Sequence, residues 1–324
     1  MWKTLTRPAM IFVPFLLGAF CPQAHVLNDP PLNIVRWALC IMIFMSCLQL
    51  EFRDLKPRKE HWFLLAANLL MGVIPYFLLK KLLPDSPDLA LAAFFVGITP
   101  TATAAPVVIS FLHGRLGFAL TGFTITNLFV SLSLIGLLPM VTGTFTLGFI
   151  TRVVITLLQI IALPFTCAML ARRVWPGIRA LPKRCKTFSF SLWSFTLFVL
   201  AATARQYFIE NPHVSLLQIG AVGLISLTIC FCDFYFGKLL ASRRYRRECS
   251  QLLGQKNTTF TLYLALQYAN PFVAMGPIFY ILWHNLWNAW QMFRYDVHRA
   301  TRPNRIHPER LKSEQKSEPE TGKD

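Results

Sequence analysis

Charge is scarce in this chain, and acidic charge scarcest of all. Only 15% of its 324 residues are Asp, Glu, Lys or Arg, and 15 acidic residues face 32 basic ones, for a net charge of +17. Hydrophobic residues make up 54%, and the mean hydropathy is +0.47. So few charged side chains cannot cover that much apolar material, which excludes a soluble globular protein. His-Glu-x-x-His and Gly-x-Ser-x-Gly are both missing, so neither a zinc-peptidase nor a serine-hydrolase centre is written into the chain, and no enzyme is expected. Eight cysteines are scattered without the spacing of a disulfide framework. Cys230 and Cys232, two apart on a helix, point to different sides and read as apolar thiols, leaving no metal site. Nor does the basic excess read as a nucleic-acid footprint: the basic residues fall in alternate short loops, away from the aromatics.

What the chain does have is a series of apolar runs near the ~20 residues that cross hydrocarbon. Ten are legible: Ala9–Leu27, Asn33–Leu50, Trp62–Leu83, Leu89–Leu112, Leu116–Val141, Leu147–Leu170, Phe188–Phe208, Ser215–Lys238, Tyr245–Asn270 and Met275–Phe293. Positive charge tests the count, because cytoplasmic connections carry the Lys and Arg excess. Arg53, Lys56, Arg58 and Lys59 follow span two, Arg115 follows span four, Arg172 to Lys186 follow span six, and Arg243 to Arg247 follow span eight. The outer connections are poor in charge, as at Thr142–Thr146. The expected protein is therefore a multi-pass protein of the cell (inner) membrane with both termini cytoplasmic. Lys3 and Arg7 before Met10–Phe20 imitate a signal peptide, but its removal would put the basic loops outside, so an uncleaved first span is preferred. Residues 297–324 read as a polar cytoplasmic tail.

Two spans are interrupted. Gly97-Ile98-Thr99-Pro100-Thr101-Ala102-Thr103-Ala104-Ala105-Pro106 places a glycine, two prolines and three threonines halfway along span four. Each proline removes a backbone donor and disturbs the preceding turn. Freed backbone groups at that depth are tolerated only where protein covers them or a cavity admits water. Leu252 to Thr259, with Gly254, Gln255, Lys256 and Asn257, interrupts span nine in the same way. Both breaks fall in the fourth span of a five-span half. The pattern predicts two inverted repeats, residues 1–141 and 142–296, with Gly97–Pro106 and Gly254–Thr259 non-helical and close to each other near the bilayer centre, the arrangement from which many secondary transporters build a substrate site. A structural hinge without a site is the alternative reading.

The chain resembles the bile acid:sodium symporter family over nearly all its length short of the tail. Thr99-Pro100-Thr101-Ala102-Thr103-Ala104-Ala105-Pro106 stands where the family has Cys-Pro-Gly-Gly-Thr-Ala-Ser-Asn. Leu252-Leu253-Gly254-Gln255-Lys256-Asn257 stands for Glu-Val-Gly-Met-Gln-Asn. Trp283-His284-Asn285 and the turn from Leu50 to Leu55 are also similar. The resemblance implies an all-α membrane fold of about ten helices in a panel and a core domain, helices four and nine broken and crossing in the core, and uptake of organic anions driven by sodium. It also implies sodium ligands at the family's Ser-Asn pair and at its Glu and Gln. Those positions hold Ala105, Pro106, Leu252 and Lys256, and the first three supply no side-chain oxygen for a hard cation.

The expected function is therefore secondary transport of a small organic anion with degenerate sodium sites and no cofactor. A sodium-coupled symporter with a non-standard site, a membrane-embedded enzyme and a non-transporting receptor are the alternatives. Candidate substrate- or ion-binding residues are Thr99, Thr101, Thr103, Gln255, Lys256, Asn257 and Thr258, with Thr101, Thr103 and Asn257 expected along the substrate path. Lys256 is expected to replace sodium as a fixed positive charge, to bond carbonyls at the ends of the broken helices, and to attract the substrate's anionic group. Asp233 is read as an interfacial ion pair with Lys238, and His284 as a hydrogen-bonded packing residue. Trp283, Trp287 and Trp290 are read as an interfacial belt, while Asn127 and Thr124 have no assigned facing.

Overall fold

The computed structural model describes residues 13–301 apart from 15, 50–54, 103, 113 and 213. Thr103 and the tail beyond residue 301 thus lie outside the described residues. The described residues are mostly helical, and the only extended pairing among them is one isolated bridge between Thr101 and Lys256.

Helices follow the apolar runs closely. A 3-10 turn, Pro22–Asn28, precedes α1 (Ile34–Cys47) and α2 (Lys59–Leu82). Span four is divided into α3 (Pro87–Gly97) and α4 (Ala104–Phe111), followed by α5 (Leu116–Thr142). Next come α6 (Leu147–Val174), α7 (Lys186–Glu210) and α8 (Leu216–Leu239). Span nine is divided into α9 (Arg246–Gly254) and α10 (Thr258–Tyr268), and α11 covers Pro271–Thr301. Local chemistry sets several boundaries. Pro87 opens α3 at a position that needs no backbone donor. Ser215 and Gln218 form a capping box on α8, and Gly143 ends α5 in the left-handed conformation at φ 69°.

The breaks and the start of the tail differ from the sequence expectation. Among the described residues only 98–102 and 255–257 are non-helical at the breaks, because Ala104–Pro106 already form the first turn of α4 and Thr258 and Thr259 that of α10. Pro106 is accommodated there since first-turn amides have no intrahelical partner. The first five residues of the expected tail continue α11.

Among the described residues four helices, α2, α5, α6 and α8, are long and apolar enough to cross a membrane. Their outward faces are greasy: Leu70, Ile74, Phe77 and Leu78 of α2 are all exposed. Polar side chains gather inside instead, Asp233 and Lys256 among them. That inversion suits hydrocarbon and not water. Within the bundle, α3 packs between α2 and α11, α9 lies on α8, and α10 lies on α11, while α1, α6 and α7 form a second neighbourhood. The α2–α3 approach depends on two glycines. A Cβ on Gly97 would strike the Met71 carbonyl, and one on Gly72 would sit 2.8 Å from Ile98 Cβ. The first half-span, α3, is consequently sealed, with Ala92, Ala93, Phe94 and Phe95 all fully buried.

Candidate functional site

Where α3 and α9 stop, each leaves carbonyls with no partner one turn further on. The two breaks meet there and answer each other's needs. Ala102 N–H donates to the Gln255 carbonyl (2.8 Å) and Asn257 N–H to the Pro100 carbonyl (2.7 Å), so a two-bond antiparallel ribbon crosses between the half-helices. The approach expected of the two breaks is therefore present.

Side chains complete the pairing. Lys256 Nζ donates to the Gly97 carbonyl at 2.6 Å, at the end of α3, and to Asn68 Oδ1 of α2 at 2.9 Å. Asn68 in turn donates to the Ile98 carbonyl at 3.1 Å. At the end of α9, Thr101 Oγ1 donates to the Leu252 carbonyl at 2.6 Å and accepts from Thr126 at 2.8 Å. The Tyr280 hydroxyl lies 2.8 Å from the Gly254 carbonyl and 2.9 Å from Asp233 Oδ2. Asn127 Nδ2 reaches the Thr101 carbonyl at 2.8 Å. Thr99 back-bonds to Phe95 at 2.6 Å and meets Thr261 Oγ1 at 2.7 Å, joining α3 to α10. A cation and a phenol thus stand at the negative ends of two helix dipoles.

The counter-charge comes from α8. Asp233 Oδ2 is 3.4 Å from Lys256 Nζ, with both side chains fully buried. This corrects the pairing of Asp233 with Lys238. Residues five apart on a helix are separated by well over a third of a turn, so Lys238 does not share the face of Asp233. The other carboxylate oxygen, Oδ1, accepts no hydrogen bond among the described residues. The carbonyl partners expected for Lys256 are present at Gly97, but Asp233 cancels the charge that was to draw in a substrate.

Accessibility divides the candidate residues. Thr99, Thr101, Gln255, Lys256 and Thr258 are buried, and Asn257 is half-buried with Ala102 and the exposed Ala104 beside it. In this conformation Thr101 is part of the sealed joint. Asn68, Asp233 and Tyr280 are the participants that sequence reasoning missed. His284 is buried against Tyr280, ring centroids 5.5 Å apart, but its Nδ1 has no partner among the described residues, so it packs without the expected hydrogen bond there. Trp283 donates to the Gly223 carbonyl at 3.1 Å and Trp287 stacks on Phe234, which leaves Trp290 as the exposed member of the expected belt.

The positions expected to hold sodium do not fit it. Ala105 and Leu252 belong to one buried apolar cluster with Leu64, Ile109 and Phe118, which offers a cation no side-chain oxygen. Around Lys256 the oxygens of Gly97, Asn68 and Asp233 are already held by an ammonium, and a second cation there would be repelled.

No curated protein gives a significant match to the chain. The sequence profile of the Sodium Bile acid symporter family matches residues 37–211, just over half of it, and that stretch takes in the whole of the first broken helix. Membrane-length apolar helices run through the match and beyond it, and the chain belongs to the sodium bile acid symporter family, a family of integral membrane transporters.

Proposed function

We propose that the chain is a secondary transporter of small organic anions that works without sodium, with the Lys256 ammonium as a resident cation at the crossing. The single observation that carries this reading is the cage of Gly97, Asn68 and Asp233 oxygens closed around Lys256 Nζ. Lys256 stands where the resemblance puts a sodium-binding Gln, so the protein's own ammonium does there what the ion does elsewhere: it neutralises Asp233 and satisfies a helix end. The apolar packing of Ala105 and Leu252 supports the loss of the other ligands.

In this reading ten spans form two inverted repeats, residues 1–141 and 142–296. Helices α1, α6 and α7 belong to a panel and the remainder to a core, with both termini and the 297–324 tail on the cytoplasmic side of the cell membrane. Because the Lys256–Asp233 pair is neutral as a whole, attraction of an organic anion falls to the positive ends of α4 and α10, which begin beside the accessible Ala104 and Asn257. Thr103, in the same stretch, is placed on the path with Asn257. Thr99, Thr101, Gln255 and Thr258 hold the crossing in shape.

Uptake of candidate anions into proteoliposomes tests the proposal. Transport is expected to persist when choline replaces sodium and to be lost in Lys256→Ala. Strict dependence on sodium overturns it, as does an alanine variant with undiminished uptake. An imposed pH gradient then separates proton coupling from uniport.

A further inference from the structure

A second polar feature lies away from the crossing, where α2, α5 and α9 all begin. Their N-terminal boundary residues are Arg58, Arg115 and Tyr245. Three helix N-termini therefore converge, each with a partial positive charge. The sequence adds more positive charge to that end. Arg58, Arg115 and Arg244 hold their guanidinium carbons 5.5, 5.1 and 5.8 Å from the centroid of the Tyr245 ring. Together with Lys56 and Phe118 they line a pocket of about 320 Å³, within the range of small-ligand sites.

The floor is rigid. Tyr245 stacks on Phe118 at 4.2 Å and 10°, and Phe118 lies against His61 at 4.1 Å. His61 is fixed in turn at both nitrogens: Nδ1 accepts from Arg58 N–H at 3.0 Å, and Nε2 lies 3.1 Å from the Phe118 carbonyl. Two carboxylates are near, and both are buried and hydrogen-bonded within the protein. Glu248 accepts from Arg115 N–H at 2.9 Å, and Glu60 from Ser242 at 3.0 Å. Among the described residues none of Lys56, Arg58, Arg115 and Arg244 forms an ion pair with a carboxylate. Three guanidinium groups around one ring repel each other, and one aromatic face offsets only part of that. A multivalent acceptor seated among them removes the repulsion and uses their forked donors.

The surroundings say what kind of anion. Leu116, between two pocket residues, is 48% exposed. On the face of α5 that carries Arg115, exposed Trp62 of α2 meets Phe129 with ring centroids 5.5 Å apart, and exposed Leu132 lies close to one turn further along. A basic pocket at a helix end that opens onto a greasy seam matches a molecule with a phosphate head and hydrocarbon tails. We infer that this pocket binds the headgroup of an anionic phospholipid, its phosphate among Arg58, Arg115, Arg244 and Lys56 and its acyl chains along the α2–α5 seam. The site is separate from the crossing and does not depend on which anion is transported.

Lipid retention by the purified full-length protein, read by native mass spectrometry, tests it with dioleoylphosphatidylglycerol and dioleoylphosphatidylcholine as probes. The wild type is expected to retain the glycerol lipid preferentially. R115Q/R244Q is expected to lose about 30-fold in affinity for it, from roughly a fivefold loss per arginine. R172Q/R173Q, remote from the pocket, serves as a control for general surface charge and is expected to match the wild type. Should the double variant fail to fold, R58Q alone, on the exposed rim, is expected to lose about fivefold. Equal retention of the two lipids overturns the inference, as does retention unchanged in R58Q and R115Q/R244Q or reduced as much in the remote control. Inorganic phosphate that displaces the lipid at comparable concentration overturns it too, by making the pocket a free-anion site.

Discussion

Replacing Lys256 by methionine keeps most of the apolar stem and removes the ammonium. Three acceptors then lose their donor: Asp233 Oδ2 at 3.4 Å, Asn68 Oδ1 at 2.9 Å and the Gly97 carbonyl at 2.6 Å. Opposite charges 3.4 Å apart attract by ~5 kcal/mol at an effective dielectric constant of about 20. Removing one partner of a buried pair generally costs about 3–5 kcal/mol, since the other charge is left uncompensated. Asp233→Asn is expected to cost about 3 kcal/mol, because the amide oxygen still accepts from Tyr280. Lys256→Met is expected to cost about 4–5 kcal/mol, because hydrogen bonds to two further acceptors go with the charge. The combined variant contains no orphaned charge. It is expected to lose about 2–3 kcal/mol less than the sum of the single losses. Reversible unfolding of the detergent-solubilised variants by a denaturing surfactant, arranged as a double-mutant cycle, measures the coupling directly. Additivity within about 0.5 kcal/mol would refute the claim that these two side chains sustain each other.

Other outcomes follow from the same joint. Asn68→Ala strips an acceptor from Lys256 and a donor from the Ile98 carbonyl, so a loss of about 2–3 kcal/mol in the same unfolding assay is expected; an unchanged midpoint would remove Asn68 from the joint. Tyr280→Phe leaves Asp233 and the Gly254 carbonyl without the hydroxyl they share and is expected to cost about 1–3 kcal/mol, which a wild-type melting profile would contradict. Gly97→Ala drives a methyl group into the Met71 carbonyl; folded yield is expected to collapse, and normal yield would show that α2 and α3 can separate without penalty. In the conformation described here, Asn257→Cys is expected to react with a small water-soluble thiol reagent and Thr101→Cys to be protected. Equal labelling would put both residues on the same side of the joint.

The helices were largely legible because hydrocarbon imposes one length and one composition on whatever crosses it. The runs Leu116–Val141 and Ser215–Lys238 become α5 and α8 to within a residue at each end. The two interruptions were legible because proline, glycine and lysine are costly in a span, and their mutual approach was expected from their matching places in the two halves of the sequence. Their extent was overstated, since proline is harmless in the first turn of a new helix and Pro106 occupies such a place. The partners of Lys256 were harder to find. Asn68 is a lone amide in span three with nothing in its neighbours to mark it. Asp233 carried a usable signal: an acid among Cys230, Phe231, Cys232 and Phe234 needs a cation on its own face, which Lys238 is not. Lys256, the other intramembrane charge already in view, was that cation. The basic pocket was invisible because Arg58, Arg115 and Arg244 belong to three connections, and only folding shows that one tyrosine collects them.

The ribbon at the crossing has a mechanical consequence. Two backbone hydrogen bonds lock residues 100–102 to 255–257, and the ends of α3 and α9 are clasped by groups from α2, α8, α5 and α11. Sliding one half-helix past the other by a single residue would break nearly all of these bonds together, with no intermediate register that re-forms them. Any change of access from one side of the membrane to the other therefore has to leave this joint whole and turn the remaining helices about it. The crossing then behaves as an axle, with the half-helices as spokes that keep their spacing while the rim moves. Backbone amides at 102 and 257 should accordingly be among the slowest in the protein to exchange with solvent during turnover, and amides in α1 and α6, far from the axle, should report the motion.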